Sequence, residues 1–335
     1  MGLRLDDAYV WDSWVADDAD RYHLFFLTAP RTGGPGARHT QAVIGHATST
    51  DLVDWHLEPV ALRPSPGAWD DLALWTGSVV QADDGVWWLF YTAISTRGHG
   101  MRDQRVGAAT SSDLVTWTKV GDGPVLEADT RWYATLPEDS AASETWRDPF
   151  VLRDPDGDGW HMVVTARKLG ASPNADGVLA HAVSDDLAHW TVRPPLTTPA
   201  GFGQLEVAQV REVHGQWVLL LTCHPQEQTP ETVARWGEHS TWSVLGATAL
   251  GPWDIASARP FTAEPALFAA PLVQRRDGSW ALIGFRNLEA EGVDAFEIID
   301  PIPVGIRDGA LTAIDPADRT PRPSSLEHRH VVRPV

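Results

Sequence analysis

Sulfur-containing residues are scarce in this sequence, which has one cysteine and three methionines among 335 residues. A single cysteine cannot form an internal disulfide, and a cysteine-rich metal cluster is excluded for the same reason. Cys223 is therefore interpreted as a small buried apolar residue. We expect neither a metal site nor a cofactor.

Positive charge is also scarce. Lys and Arg total 26 against 45 Asp and Glu, which gives a formal net charge of −19. Nucleic acids and anionic membrane surfaces attract clustered Lys and Arg, and this sequence has no such basic run, so we expect neither as a partner. The acidity is typical of a solvated surface. The pattern predicts no particular oligomeric state.

Long apolar runs are absent as well. No stretch approaches the roughly 20 apolar residues that span a bilayer. Residues 1–7 are charged and do not resemble a secretory signal. We therefore expect a cytoplasmic location.

Tryptophan is abundant by contrast, with 17 residues, and apolar residues make up 43% of the chain. Four of these tryptophans end a repeated segment that reads Ser-x-Asp-Leu-x-x-Trp in its best copies. They stand at positions 55, 117, 190 and 253, which are 62, 73 and 63 residues apart. One tryptophan per repeat indicates a structural role between neighbouring repeats.

A second motif, an apolar strand followed by a turn and a strand rich in aromatic and β-branched residues, occurs five times. Alternating runs bounded by Gly and Asp predict hairpins. The copies span residues 10–27, 74–93, 146–165, 205–222 and 268–285. Together the two motifs predict an all-β, five-bladed β-propeller with four antiparallel strands per blade, over residues 1–320, and a C-terminal tail over residues 321–335.

The first strand of each predicted blade faces the central channel, so polar residues that interrupt its apolar pattern are candidates for function. In the fifth blade this position holds only Ala270 and Pro271. We predict that the carboxylates occupy equivalent blade positions and meet across the axis. The interruptions are Asp12, Thr76 with Ser78, Arg147 with Asp148, and Gln204 with Glu206.

Three buried carboxylates, Asp12, Asp148 and Glu206, need an explanation, because burial of a charge is costly. Glycoside cleavage supplies one, since it needs a proton donor and a second carboxylate on either side of the bond. Crowding should raise the pKa of one carboxylate, while Arg147 keeps its neighbours ionised. A structural alternative is that the three form ion pairs on the axis or hold a cation such as calcium.

The chain resembles glycoside hydrolase families 32 and 68, the fructan and sucrose enzymes with a five-bladed propeller. The resemblance rests on short motifs in family order. They are Tyr9-Val-Trp-Asp-Ser-Trp14, Tyr22-His-Leu-Phe-Phe26, the repeat at 45–55, Pro59-Val-Ala-Leu62, Trp75-Thr-Gly-Ser78, Leu89-Phe-Tyr91 and Arg147-Asp148-Pro149. It implies that Asp12 is the nucleophile, Asp148 the transition-state stabiliser and Glu206 the acid/base.

The resemblance also implies a substrate shell, in which Trp11 and Trp75 stack on the fructose ring while Arg147 binds hydroxyls. His224 is added because it opens an insertion, residues 225–238, directly after a strand. The expected substrate-binding residues are Trp11, Ser13, Trp14, Trp75, Thr76, Ser78, Arg147, Gln204 and His224. Further polar residues beside channel-facing strand ends are His39, Arg97, His99, Arg167 and Arg286.

Three functions fit these features. The first is a retaining β-fructofuranosidase or fructosyltransferase with a small carbohydrate substrate. The second is an inverting arabinofuranosidase or xylosidase of the family 43 type, and the third is a non-catalytic carbohydrate-binding propeller. The chain departs from family 32 around Asp12, around Glu206 and at Leu27 and Gln204. It also has few residues after the fifth hairpin, so we expect no family 32 β-sandwich.

Overall fold

Five four-stranded antiparallel sheets make up the blades, and in each the strands follow one another across the sheet in chain order. This is seen in a computed structural model that describes residues 2–98, 100–135, 144–170, 174–287 and 296–315. The first strand of every blade lies innermost and lines a central channel. The predicted five-bladed propeller is therefore confirmed, whereas the predicted tail, residues 321–335, lies outside the described residues.

The strand bounds of the first three blades follow the repeats. Blade 1 contains β1 (Ala8–Asp17), β2 (Tyr22–Pro30), β3 (Val43–Ser49) and β4 (His56–Leu57). Blade 2 contains β5 (Ala73–Gln81), β6 (Trp87–Ile94), β7 (Arg105–Ser111) and β8 (Thr118–Lys119). Blade 3 contains β9 (Trp146–Arg153), β10 (Trp160–Arg167), β11 (Gly177–Ser184) and β12 (Thr191–Arg193).

The last two blades differ in strand length. Blade 4 contains β13 (Glu206–Val213), β14 (Gln216–Thr222), β15 (Thr241–Gly246) and β16 (Arg259–Pro260). Blade 5 is built from short strands, with a separate two-stranded pair at its inner end. These strands are β17 (Leu267–Phe268), β18 (Leu272–Gln274), β19 (Trp280–Leu282), β20 (Phe285–Arg286), β21 (Ile302–Arg307) and β22 (Ala310–Ala313).

Helices are few in the described part of the chain. The α-helices are α1 (Arg38–Gln41) and α2 (Pro230–Trp236), and one-turn 3₁₀ helices lie at Pro35–Ala37, Gly100–Arg102, Pro225–Glu227 and Ile255–Ser257. Helix α2 begins at a proline, and the Thr229 hydroxyl caps it by accepting a hydrogen bond from the Thr232 amide. Among the described residues, no helix is long and apolar enough to cross a membrane.

The repeated Ser-x-Asp-Leu segment forms the turn that follows the third strand. In blade 1, the Ser49 hydroxyl accepts hydrogen bonds from the amides of Asp51 and Leu52, and Asp51 accepts from the next two amides. Leu52 has φ of 68°, a conformation that a leucine adopts only when its surroundings hold it there, and its side chain is buried. Leu114 and Leu187 repeat this geometry, which explains why the motif recurs.

Two of the four repeated tryptophans, Trp117 and Trp190, contact a ring of the neighbouring blade, as predicted. Trp117 of blade 2 contacts Phe25 of blade 1 edge to face, with ring centroids 5.6 Å apart. Trp190 of blade 3 contacts Phe90 of blade 2 in the same way, also at 5.6 Å. The abundance of tryptophan therefore reflects radial packing of blades.

The ring closes between blade 5 and the N-terminal segment. Leu3 and Ile298 exchange backbone hydrogen bonds of 2.8 and 3.0 Å. Arg276 of blade 5 forms an ion pair with Asp17 of blade 1 and donates its amide hydrogen to the Tyr22 hydroxyl. These contacts hold the first and last blades side by side, so that all five inner strands surround one channel.

Candidate active site

A β-bulge interrupts the inner strand of blades 1 to 4 at corresponding positions. The pairing register shifts at Asp12 in β1, at Thr76 in β5, after Arg147 in β9 and after Glu206 in β13. A bulge adds one residue to a strand and re-aims its side chains, and such bulges are frequent beside active sites. In blades 1 to 4 the side chains of the inner strand therefore switch from one face of the sheet to the other at the bulge, where the polar residues lie.

The register shows which residues are equivalent. Trp11, Trp75, Arg147 and Glu206 pair with Leu27, Thr92, Thr165 and Thr222 respectively. Asp12 and Asp148 follow directly and are equivalent to each other, whereas Glu206 stands one residue earlier. The expectation of three equivalent carboxylates is therefore wrong for Glu206, which takes the position that Arg147 takes in blade 3.

Backbone strain accompanies the bulges in blades 3 and 4. Asp148 has φ of 58° and Val207 has φ of 48°, and a β-branched residue rarely adopts such a value. The Val207 amide donates to Asp148 Oδ2 at 3.2 Å, and the Thr165 hydroxyl donates to the same oxygen at 3.1 Å. The strained turn thus supplies a hydrogen bond that fixes the Asp148 carboxylate.

Asp12 has a different partner. The Thr76 hydroxyl, at the equivalent position of the next blade, donates a short hydrogen bond to Asp12 Oδ2. Burial raises the pKa of Asp12 to about 7, and the charges of Asp148 and Glu206 add to the rise, while the Thr76 hydrogen bond opposes it. Near neutral pH this carboxyl is therefore about half ionised.

Arg147 joins the other two carboxylates. Its guanidinium forms a close ion pair with Glu206 Oε1 and lies 3.6 Å from Asp148 Oδ2. The side chains of Arg147, Asp148 and Glu206 are 14%, 5% and 13% exposed, so little solvent screens them. Burial raises the pKa of Asp148 to about 6, although Arg147 opposes this rise. Glu206 Oε2 is buried and accepts no hydrogen bond from the described residues.

All three carboxylates line one cavity of about 470 Å³ at one end of the channel. Aromatic residues form one wall, where the His39 ring lies between the rings of Trp11 and Trp75 at 6.4 and 6.1 Å. The Trp75 indole donates to the His39 carbonyl at 2.7 Å, which fixes its plane. Burial lowers the pKa of His39 to about 4, so the ring is neutral at physiological pH.

This pocket combines carboxylates, a buried arginine and flat aromatic walls, and it lies at the centre of a five-bladed propeller. The model of the glycosyl hydrolases family 32 N-terminal domain matches residues 15–245, more than two thirds of the chain. The chain belongs to this family. The matched range includes Asp148 and Glu206 and begins three residues after Asp12. The family 43 hypothesis loses its basis here, because the matching model is that of family 32.

Curated relatives of this family 32 chain carry related names. A sucrose-6-phosphate hydrolase of Bacillus subtilis is 34% identical over 186 residues, which cover 55% of this chain and 33% of the relative. A fructan 6-exohydrolase of Beta vulgaris is 26% identical over 184 residues, 54% of this chain and 28% of that protein. The similarity thus spans about a third of the length of these relatives.

Solved structures show the same fold over nearly the whole chain. An inulosucrase from Halalkalicoccus jeotgali bound to kestose superposes with a TM-score of 0.73 at 19% identity, covering 93% of this chain and 89% of that one. Bacillus subtilis levansucrase gives 0.72 at 16% identity, with coverage of 93% and 87%. At these identities the likeness establishes the propeller fold of the family 32 chain.

Most of the sequence-predicted site residues lie together in the pocket of this family 32 domain. They are Trp11, Asp12, Trp75, Thr76, Arg147, Asp148, Gln204, Glu206 and His224. His224 stacks on Phe268 at 4.4 Å and lies 3.4 Å from the Asn287 amide.

Three of the predicted substrate-binding residues lie elsewhere, which corrects the prediction. Ser13, Trp14 and Ser78 follow the bulges and line the opposite end of the channel. Trp14 stacks on Phe25, and the Ser78 hydroxyl accepts a hydrogen bond from the Val151 amide. The bulge separates them from Asp12 and Thr76, because the strand continues towards the other mouth after it. A prediction that assumes regular alternation of side chains along the strand cannot detect the shift that the bulge introduces.

The additional polar candidates divide in a similar way. His39 and Arg167 line the pocket. Arg97 donates to the Gly67 carbonyl instead, and Arg286 pairs with Glu264 and lies outside the pocket lining. His99 lies outside the described residues.

The sequence did not predict several residues that line the pocket. Gln104 accepts hydrogen bonds from the Trp146 amide at 3.0 Å and from Arg147 at 3.4 Å. Glu227 is a fourth carboxylate, and its pKa is raised by burial and by the charge of Glu206. Unusual loop length had marked residues 225–238 as a candidate binding loop, yet no pattern singled out Glu227. The other unpredicted polar members of the lining are Arg38, Thr145 and Asn287.

Groups of three or more His, Cys, Asp or Glu arranged to hold a metal ion are absent from the described residues. The three carboxylates are instead engaged by Thr76, by Thr165 and by Arg147. The arrangement is therefore one of hydrogen-bonded carboxylates around an open centre.

Proposed function

We propose that this chain cleaves β-fructofuranosides by a double-displacement reaction and passes the fructosyl group to water or to an alcohol acceptor. Asp12 is the nucleophile, Glu206 the acid/base and Asp148 the residue that stabilises the transition state. The observation that carries the proposal is the meeting of these three carboxylates in one pocket, where Glu206 Oε2 has no hydrogen-bond partner among the described residues.

The curated relatives support the choice of substrate. Their names specify sucrose 6-phosphate, fructan and raffinose, all of which contain a fructosyl unit. The structural neighbours include both hydrolases and fructosyl-transferring enzymes. Hydrolysis and transfer share their first half-reaction, so one pocket serves either outcome.

In the first step, an ionised Asp12 attacks the anomeric carbon while Glu206 gives its proton to the departing oxygen. The bond between sugar and leaving group breaks as the Asp12–sugar ester forms. In the second step, Glu206 takes a proton from water or an alcohol, whose oxygen displaces Asp12. Two inversions give net retention of configuration at the anomeric carbon.

Proton placement sets the pH range of this cycle. Asp12 attacks only in its ionised form, and its pKa of about 7 in the free pocket delays ionisation to neutral pH. The Thr76 hydroxyl favours the ionised form by donating to it. Asp148 does not react, because the Val207 amide and the Thr165 hydroxyl hold it in place to face the positive charge that develops on the ring.

The aromatic wall gives the fructosyl ring its place. Trp11 and Trp75 lie on either side of His39 near the mouth, and indole faces pack well against the C–H faces of sugars. Gln204 and Glu227 lie next to Glu206, and the Gln204 amide nitrogen is 3.5 Å from Glu227 Oε1. Glu227 belongs to the loop that follows β14. We assign this side to the leaving group or acceptor, since it is next to the acid/base.

Product analysis tests the proposal. The enzyme is incubated with sucrose, inulin, levan and a nitrophenyl arabinoside, and the anomer first released is followed by NMR. Retention on a fructoside is expected, whereas inversion on the arabinoside would refute the proposal. Glu206→Gln should lower turnover by about 10³-fold or more, while Glu212→Gln, an exposed residue of the same strand β13, should not.

A further inference from the structure

A second cavity, of about 550 Å³, opens at the opposite end of the channel. It lies beyond the bulges and shares with the catalytic pocket only the layer formed by Thr76, Asp148 and Val207. Ser13 and Trp14, which the sequence motif had assigned to the substrate, belong to this cavity. The proposed function therefore leaves these residues unused.

The charges around this cavity are unequally matched. Of its acidic residues near the mouth, Asp83 pairs with Arg153, and Asp17 pairs with Arg276. Arg211 lines the same cavity, and within the described part of the chain no carboxylate forms an ion pair with it. Its guanidinium lies over the Phe150 ring at 4.9 Å.

Arg211 is also poorly solvated. Burial lowers its pKa to about 10, and no acid among the described residues offsets the effect. The group therefore remains charged at neutral pH in a place that disfavours a lone charge. Such an arrangement is stabilised when an anion enters.

Hydrogen-bond donors without acceptors occur in the same lining. Arg211 Nε, the Ser13 hydroxyl and the Trp14 indole nitrogen are all buried, and none has a hydrogen-bond partner among the described residues. Arginine and tryptophan nitrogens can only donate, and a serine hydroxyl can do so. Buried donors are normally satisfied, so a ligand that reaches one of them after a side-chain rotation gains a hydrogen bond that the described residues do not supply.

Aromatic walls complete the cavity. Trp87, Trp160 and Trp280 all line it, and Arg153 covers the ring of Trp160 at 4.9 Å. Flat apolar faces next to a lone guanidinium suit a ligand with an organic body and an anionic head. A cationic ligand would be repelled by Arg211.

We propose that this cavity is a second binding site, which takes a small organic oxyanion whose phosphate or carboxylate head pairs with the Arg211 guanidinium. Of the catalytic carboxylates only Asp148, in the shared layer, borders this cavity, whereas Asp12 and Glu206 do not line it. The site does not depend on the proposed function. The charge of Arg211 holds the head of the ligand, and the faces of the lining tryptophans hold its body.

Titration calorimetry at low ionic strength tests the site. The probes are inorganic phosphate, glucose 6-phosphate and glucuronate, with glucose as the neutral control. Saturable binding is expected for at least one of the three anions and not for glucose. Comparison of inorganic phosphate with the two sugar anions separates recognition of the head from recognition of the body.

Variants locate the bound anion. Arg211→Gln should weaken binding by about tenfold or more, because it removes a charge-assisted donor, and Arg211→Lys should recover part of the loss. Arg131→Gln makes the same charge change at an exposed ion pair outside the cavity and should leave affinity within about twofold. Arg147→Met, in the catalytic pocket, should also leave it unchanged.

Three results would overturn the proposal. One is the absence of saturable heat with every anion up to about 10 mM. Another is undiminished binding in Arg211→Gln, and the third is loss of binding in Arg147→Met alone, which would place the anion among the catalytic residues. Thermal unfolding of each variant controls for folding. If Arg211 serves the fold alone, Arg211→Gln lowers Tm without any change in anion affinity.

Discussion

The two ends of the channel are lined by the same inner strands yet have opposite electrostatic character. At the catalytic end, Asp148 and Glu206 share one arginine, Arg147, and Asp12 accepts a hydrogen bond from Thr76. At the other end, Asp83 and Asp17 near the mouth each pair with an arginine, and no acidic residue in the described part of the chain forms an ion pair with Arg211. The bulges lie between the two ends, so one extra residue per strand lets a repetitive fold present two unrelated surfaces.

The comparison also indicates that the catalytic end lowers the free energy of unfolding. Crowded, buried carboxylates cost free energy, and functional sites commonly carry such a cost. If the catalytic end is the strained one, then neutralising its carboxylates should stabilise the protein while abolishing activity. Variants of decreasing expected effect test this contrast.

Asp12→Asn should have the largest effect. Loss of the nucleophile is expected to lower kcat by about 10⁴-fold or more. The same change should raise Tm at pH 8 by roughly 2–5 °C, because asparagine is not ionised by alkali. Kinetics with a fructoside and thermal unfolding of the same samples measure both.

The pH dependence of this gain has a defined sign. The folded protein holds the Asp12 proton up to about pH 7, whereas an unfolded aspartate loses it near pH 4. The destabilisation by Asp12 is therefore absent below about pH 4, grows from there to pH 7 and is complete above it. A Tm difference between wild type and variant that did not grow over this interval would contradict the assignment. Asp20→Asn, an exposed turn residue, is the control.

Arg147→Met should have the next largest effect. It removes the cation next to Glu206 and Asp148, so kcat/KM should fall by roughly 10²-fold. Because Arg147 opposes the rise in the pKa of Asp148, that pKa should rise further above about 6. Arg153→Met, on the same strand β9 but at the other mouth, should change kcat/KM by less than about twofold. Equal losses in both variants would erase the difference between the two ends.

Sequence alone predicted the five blades, because the Ser-x-Asp-Leu turn and its tryptophan recur. In each copy of this turn the Ser and Asp side chains close it by hydrogen bonds to the backbone, which gives the motif a structural reason to recur. It also predicted Asp12, Asp148 and Glu206, since charged residues stand out on apolar strands. It did not predict the equivalence of Glu206 with Arg147 or the placement of Ser13, Trp14 and Ser78. A bulge is a tertiary adjustment that alternation does not record. Glu227 was missed because its loop carries no periodic pattern.

Thr76→Val should have a moderate effect confined to the pH profile. The Thr76 hydroxyl lowers the pKa of Asp12, so its removal should move the acidic limb of kcat/KM upward by about half to one pH unit. At pH 8.5 the rate should approach that of the wild type, since Asp12 is then ionised in both. Thr76→Ser keeps the hydroxyl and should keep the wild-type limb. A loss of rate that is independent of pH would instead indicate misplacement of Asp12.

Arg211→Met should have the smallest effect on catalysis. It tests whether the two ends of the channel act independently. Arg211 lies beyond the bulge layer and touches Phe150 rather than a catalytic carboxylate, so kcat/KM should stay within about twofold of the wild type. Arg211 is half-buried and has no ion-pair partner among the described residues, so replacing it by an apolar side chain of similar length is expected to raise Tm slightly, by about 1–3 °C. The matched comparison is Arg153→Met, which breaks an ion pair at the same mouth and should not raise Tm. A large fall in kcat/KM for Arg211→Met would mean that the two ends act as one site, and a fall in Tm would mean that Arg211 has a structural partner in the fold.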